Sequence, residues 1–354
     1  VPRRPALSIA KGNLSSGASK IGDFAEAIDR AGMGDAVKKD KLSTRRAYGA
    51  ALLALGHADE RIVAVDGDVS NSTFAYIFAK AFPDRFFECK IAEQNMISVA
   101  AGLSAGGLIP FASTFAKFLA RGYDQIEMAA ITRANIKMVG SHSGVSLGAD
   151  GPSQMSLPDM AYFRAYARAG DGRGNPACSV FHPADSVAAY RLTELAANQP
   201  GMCYVRTHRP DIARLYPQDA KFTAGGSGQL VEGDALTIVS SGYMVTVAME
   251  AVRELEKAGI KCSLVDAYCF PMDTAPVLAA AKKTKTATIL TVEDNYTGGL
   301  YSELAEAAAA TGEVKVHAMT CPRVPKSGKT ADDILASLGL STADVVAKAK
   351  SLAK

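Results

Sequence analysis

The pattern of apolar and polar positions changes period repeatedly along the chain. Short runs rich in β-branched or aromatic residues alternate with longer segments whose apolar residues recur every three or four positions. From residue 43 to about 206 the order begins with helix-length STRRAYGAALLALG, opening at a cap-type Ser43 and stopping at Gly56. Strand-like RIVAV, helix-like STFAYIFAKAF, strand-like RFFEC and the long helical EQNMISVAAGLSAGG follow, and then ANIKMVG, ACSVF and MCYVR read as further strands. A second alternating set comes after the Gly-rich TAGGSGQLVEGD, with strands ALTIVS, KCSLVDA, TATILTVE and VKVHAMT between helices such as YMVTVAMEAVRELEKAG and GLYSELAEAAAATG. This alternation predicts an α/β fold of two successive doubly wound, mostly parallel-sheet domains. The expected organisation is an arm at 1–42, a first domain at 43–222, a linker at 223–234 and a second domain at 235–354. The arm has a basic VPRRP, a Gly/Ser-rich KGNLSSGASK and one amphipathic helix candidate, IGDFAEAIDRAG, expected to pack on the first domain or on a partner.

Composition narrows the function classes. With 354 residues, 48% hydrophobic and 21% charged, the chain can bury two cores, and no run is apolar enough to span a bilayer as a helix. The net charge of +3 is spread without blocks, which argues against nucleic acid or an anionic membrane surface and leaves small anions as partners. The six cysteines (Cys89, Cys178, Cys203, Cys262, Cys269, Cys321) lack the spacing of a zinc or redox pair and read as reduced core thiols. The sequence does not open on a secretory pattern, which favours the cytoplasm.

Ligands of open parallel sheets bind beyond the carboxyl ends of the strands. Polar residues gather there: Asp66, Asp68 and Ser72 after RIVAV, Glu93 after RFFEC, Ser141 and His142 after ANIKMVG, His182 after ACSVF, and His208 and Arg209 after MCYVR. The loop SHSGVSLGADGPSQ adds weight, because a structureless segment of ~14 residues is uncommon unless functional. Its glycines, Gly144, Gly148 and Gly151, would let backbone approach a ligand. Each residue also has an ordinary explanation. Glu93 alone could complement a helix dipole, Asp66 and Asp68 could hold a turn, Arg45 could be solvated, and Phe115 and Phe118 could be a core stripe.

Several ordered motifs weigh against the ordinary explanations. IAEQNM, STFAKFLARGYDQIEMAAI, GSHSGVSLGADGPSQMSLPDMAYFR and VRTHRP resemble the middle of transketolases, and STRRAYGAALLALGHADERIVAVDGDVSNSTF extends the likeness upstream. Downstream, TVEDNYTGGLYSEL and RVPKSGK continue it, so that it covers roughly residues 43–352. The resemblance is to the pyrimidine-binding and C-terminal domains of that family, without the domain that holds the diphosphate and metal. A Gly-Asp-Gly triplet at 170–172, with Asn198 downstream, imitates that domain's signature, but it precedes a strand instead of following one and reads as a turn.

The resemblance implies a thiamine diphosphate enzyme of carbohydrate metabolism that moves a two-carbon ketol unit between sugar phosphates. By similarity Glu93 hydrogen-bonds the aminopyrimidine ring, work that suits a carboxyl group sheltered from water. Phe115 and Phe118, expected one helical turn apart, pack around that ring; Gln154 contacts the cofactor or nearby substrate and Asp68 lies near its thiazolium side. Arg45, Ser72 and Arg209 match a substrate-phosphate site, while His142 and Asp150 match sugar-hydroxyl contacts, the histidine near neutral pKa also moving a hydroxyl proton. His182 and His208 receive no role beyond structure. No metal ligand is expected in this chain; Mg²⁺ or Ca²⁺ and the diphosphate fall to a partner chain, an N-terminal transketolase subunit, in a dimer of heterodimers. The β subunit of a 2-oxo acid dehydrogenase and a deoxyxylulose-phosphate synthase share the domain pair, but GADGPSQ and VRTHRP favour transketolase. A non-catalytic scaffold or regulator of the same fold is the remaining alternative.

Overall fold

The computed structural model describes residues 19–354, so the basic and most of the Gly/Ser-rich parts of the arm lie outside the described residues. Two sheets organise the described chain. The first has seven strands, in the order Cys269–Phe270, Cys178–Phe181, Met202–Arg206, Lys137–Ser141, Ile109–Phe115, Ile62–Asp66 and Phe86–Glu88. Neighbours run parallel except at one edge, where Cys269–Phe270 is antiparallel to Cys178–Phe181. The second has five, in the order Lys315–Met319, Thr288–Val292, Thr237–Ser240, Ser263–Asp266 and Gly228–Val231, with only the last antiparallel. The α/β class read from the sequence is the observed one.

Helices cover both faces, so the central strands are buried along their whole length and the polar residues in them need internal partners. Lys137 shows how this is met: its Nζ donates to Asn135 Oδ1 and to the carbonyls of Gln199 and Gly201. The strand Ile109–Phe115 is a finding the sequence pattern hid. Pro110, Ser113 and Thr114 dilute its apolar signal, and its STF end reads as the start of the next helix, yet it lies between Lys137–Ser141 and Ile62–Asp66. STFAYIFAKAF also divides, into Ser70–Thr73 and Tyr76–Ala81, where Phe74 turns left-handed at φ 66°. The helix Thr44–Ala58 runs through Gly56 instead of stopping there, and Ser43 makes no side-chain capping bond.

Residues 19–42 lie against the first sheet's helices. Phe24, in the helix Phe24–Arg30, meets the Tyr190 ring edge-on at 5.6 Å, and Tyr190 donates to the Gly22 carbonyl. Ser19 and Ile21 are held by Asn198 and Glu194 of the helix Ser186–Asn198. Inside the stretch expected as linker, Gly228–Val231 forms the edge strand of the second sheet. Among the described residues, no helix is long and apolar enough to cross a membrane.

Candidate functional site

Six parallel strands end on the same edge of the first sheet, and most of the sequence-predicted polar residues lie there. Glu93 opens the helix Glu93–Ala105 and is only 2% exposed. Its Oε1 accepts from Arg121 Nη1 at 2.5 Å. Arg121 belongs to the 3₁₀ turn Phe118–Gly122, which presses against the start of Glu93's helix. Gly122 permits that approach, since a Cβ there would stand 3.2 Å from the Glu93 carbonyl oxygen.

The two phenylalanines are not on one helix, as the spacing had led us to expect. Phe115 is the last residue of its strand and Phe118 the first of the 3₁₀ turn, so the chain passes from extended to helical backbone between them. Their rings stack at 5.0 Å between centroids, 11° from parallel. His142 stacks on Phe115 at 4.0 Å and 19°, while the Arg121 guanidinium lies 4.5 Å from the Phe118 centroid. One column therefore runs from His142 through Phe115 and Phe118 to Arg121, and from there to Glu93.

His142 follows the strand Lys137–Ser141 at φ 56°, and its Nδ1 is 2.9 Å from Ser141 Oγ. Burial, reinforced by the charges of Arg45 and Arg209, pushes its pKa down to about 3. The expectation of a near-neutral pKa is thus corrected: at neutral pH this is an uncharged imidazole.

Beside it, Arg45, Arg46, Phe74, Ser146, Arg209, Pro210 and Asp211 line an open cleft of about 480 Å³. Arg45 Nη1 donates to the Ser72 carbonyl at 2.9 Å, its guanidinium lies over Phe74, and its Nε has no partner among the described residues. Burial, and then Arg209, lower the Arg45 pKa from its ordinary value. Arg209 donates to Asp150 Oδ2 at 2.9 Å and to the Leu147 carbonyl at 3.2 Å. Arg45, Ser72, Asp150 and Arg209 are therefore gathered with His142. Asp68 and Gln154 are less engaged. Asp68 is exposed at φ 65° with its N–H on Glu88 Oε1, and the Gln154 N–H goes to the Gly151 carbonyl.

The loop glycines serve another purpose than the one expected. Gly144, Gly148 and Gly151 all have positive φ, and added Cβ atoms would meet Asp294, the Thr330 backbone and Ser327 Oγ respectively. They let the loop close on the second half of the chain instead of on a ligand. Only Gly148–Asp150 within it is helical, as one 3₁₀ turn.

Three features go beyond the sequence reading. Arg121 was passed over inside an apolar helix pattern. Asp66, one of the strand-end residues with a turn as its ordinary explanation, does hold that turn, but it is fully buried, accepts from Val69 N and Thr73 Oγ1, and has its pKa pushed up to about 7, chiefly by desolvation. Arg206, fully buried at the end of its strand, donates to Asp159, to Asp294 Oδ1 at 3.0 Å and to the Ser156 carbonyl, with His182 Nε2 also 3.0 Å away. An arginine ending an all-apolar run was the available signal for it. His182 continues to Ser241 Oγ, a structural bridge between the two halves, and His208 is fully buried near Tyr243. The Gly-Asp-Gly triplet lies in the turn between Asp159–Arg168 and Cys178–Phe181, where Asp171 accepts from the Arg173 and Asn175 N–H groups.

Comparison with known families agrees with this arrangement. Residues 40–214 match the transketolase pyrimidine-binding domain and residues 226–345 the transketolase C-terminal domain. Transketolase of Mus musculus is 44% identical over 319 residues, which are 88% of this chain and 49% of that protein. Transketolase-like protein 1 of Bos taurus is 41% identical over 87% of this chain and 50% of its own length. The chain thus spans about half the length of the curated relatives it matches. Among solved structures, one described as "Split gene transketolase, inactive beta4 tetramer" superposes with a TM-score of 0.77 at 35% identity, over 88% of this chain and 98% of that one. Transketolase from Campylobacter jejuni superposes at 0.74 with 22% identity, over 88% of this chain and 47% of its own, a likeness of fold.

Proposed function

Because the chain belongs to the transketolase family, we propose that it forms the pyrimidine side of a thiamine diphosphate site and, with a diphosphate-binding domain on a partner chain, transfers a two-carbon ketol unit from a ketose phosphate to an aldose phosphate. The observation that carries this reading is the meeting, at one sheet edge, of a buried carboxylate, a column of stacked rings and a two-arginine cleft. The residues fit the cofactor's ring. Phe115 and Phe118 offer flat apolar faces, and Glu93 Oε2 accepts no hydrogen bond among the described residues.

When bound, thiamine diphosphate supplies the carbanion chemistry that accepts and releases the two-carbon unit. This chain's residues do the positioning. Glu93 shares a proton with a ring nitrogen in a site closed to water, where the shared hydrogen bond is strong. Arg45 and Arg209, with Ser72, hold a substrate phosphate; their guanidinium forks suit its oxygens. Neutral His142 and Arg209-held Asp150 orient sugar hydroxyls, and Gln154 and Asp68 flank the cofactor from their loops. Mg²⁺ or Ca²⁺ is assigned to the partner with the diphosphate; among the described residues no group of His, Cys, Asp and Glu is placed to hold a metal ion. The likeness to a split-gene transketolase chain, 98% of which is covered, supports a separate partner chain; the assembly proposed with it is a dimer of heterodimers, and the setting proposed is the cytoplasm.

The test combines the purified chain, a diphosphate-domain chain, thiamine diphosphate and Mg²⁺ in an assay of two-carbon transfer. Activity that needs both chains and is lost in Glu93→Ala supports the proposal. Sugar turnover by this chain alone, or an unaffected Glu93→Ala complex, refutes it.

A further inference from the structure

The rings that would receive a heterocycle already have close neighbours. Phe115 has the His142 ring at 4.0 Å and the Phe118 ring at 5.0 Å, both close to parallel, and the guanidinium of Arg121 lies over Phe118 at 4.5 Å. A flat heterocycle that stacks on Phe118 and bonds to Glu93 competes with the group already placed at both. His142 is 3% exposed and tied to Ser141, whereas the Arg121 side chain is 52% exposed and held by a single bond to Glu93 Oε1. The same guanidinium therefore occupies both things a pyrimidine ring needs here, the face of Phe118 and the carboxylate of Glu93. Its half-exposed position lets it leave for water at little cost, while a buried carboxylate left without any partner would be expensive.

Resting on the reading above, we propose that Arg121 is a displaceable counter-ion: it neutralises Glu93 and covers Phe118 while the ring is absent, and yields both places to the pyrimidine ring on binding. Arg121 is thus a specificity-determining residue. Only a flat ring that also gives Glu93 a hydrogen-bond partner replaces everything the arginine supplied, and a phosphate or an apolar ring alone does not. Gly122 belongs to the same device, because it keeps the Arg121 turn against the start of the Glu93 helix.

The test uses the full chain with thiamine as probe, its binding followed by equilibrium dialysis at up to millimolar concentration. Arg121→Ala is expected to bind thiamine about tenfold more tightly than the unaltered chain, since it removes a competitor worth roughly one factor of ten. Without thiamine the same variant should melt earlier, and Arg121→Lys should fall between the two in affinity. In a Glu93→Gln background the gain should vanish. Equal or weaker binding by Arg121→Ala, with the unaltered chain binding, overturns the proposal and leaves the pyrimidine site standing. So does a gain that survives in Glu93→Gln. No binding by either chain also overturns the proposal, while the pyrimidine site itself stands or falls by the two-chain assay.

Discussion

Two clusters of charged residues lie close together, and they solve opposite problems. Around Arg206 the guanidinium has no exposure and is bonded to Asp159, Asp294 and a backbone carbonyl, so its charge is used up inside the protein. Around Arg45 and Arg209 the guanidinium groups border an open cleft, one Nε lacks a partner among the described residues, and the carboxylates nearby are partly exposed. Residue types are alike; saturation differs. The first cluster is what joins the halves of the chain, and the second is what remains available for an anion from outside. The lesson is that hydrogen-bond accounting separates architecture from binding where residue chemistry alone does not.

The sharpest way to break this contrast is to unpair the buried cluster. Arg206→Met leaves two carboxylates buried without a counter-charge and is expected to cost ~3–5 kcal/mol in equilibrium denaturation. A loss under ~1 kcal/mol would show that the seam is not held by this network. Next comes His142, which feels the charges of Arg45 and Arg209. Its folded pKa of about 3 lies below the ordinary 6.5, so the stability it contributes is full above 6.5 and is lost as pH falls toward 3. His142→Asn should therefore flatten the fall in stability between those pH values, as read from melting temperature against pH. Gly144→Ala forces a Cβ at φ 62° into Asp294, the Arg206 partner, and should cost ~1–3 kcal/mol. The smallest stability effect is expected at Arg209→Ala, within about 0.5 kcal/mol, while inorganic phosphate binding measured by calorimetry falls about tenfold. If Arg209→Ala destabilised the chain as much as Arg206→Met, the distinction between the two clusters would fail.

Much of this was legible in the sequence where a local rule governs. The β-branched runs became strands because a sheet covered on both faces asks only for burial, and the polar residues just beyond them reached one edge because parallel strands end together. Glu93, His142, Arg45 and Arg209 were visible for that reason. Local rules also misled. Phe115 and Phe118 are three apart, which is a helical interval, but Phe115 closes a strand whose Pro110 and hydroxyl residues disguise it. The loop glycines looked like room for a ligand because sequence does not show that Asp294, Ser327 and Thr330 arrive from far along the chain. The bonds of Arg206 to Asp294, and of His182 to Ser241, span 88 and 59 residues and leave no periodic trace.

The strand Cys269–Phe270 comes from the later half of the chain yet completes the earlier sheet, pairing with Phe181 and Val180. Anyone trimming the gene near residue 222 would strip that cover and leave a raw hydrogen-bonding rim, the kind of surface onto which other copies zip. The two family segments are tailored as one garment: they should be expressed, grafted and engineered uncut, even though domain boundaries invite the scissors.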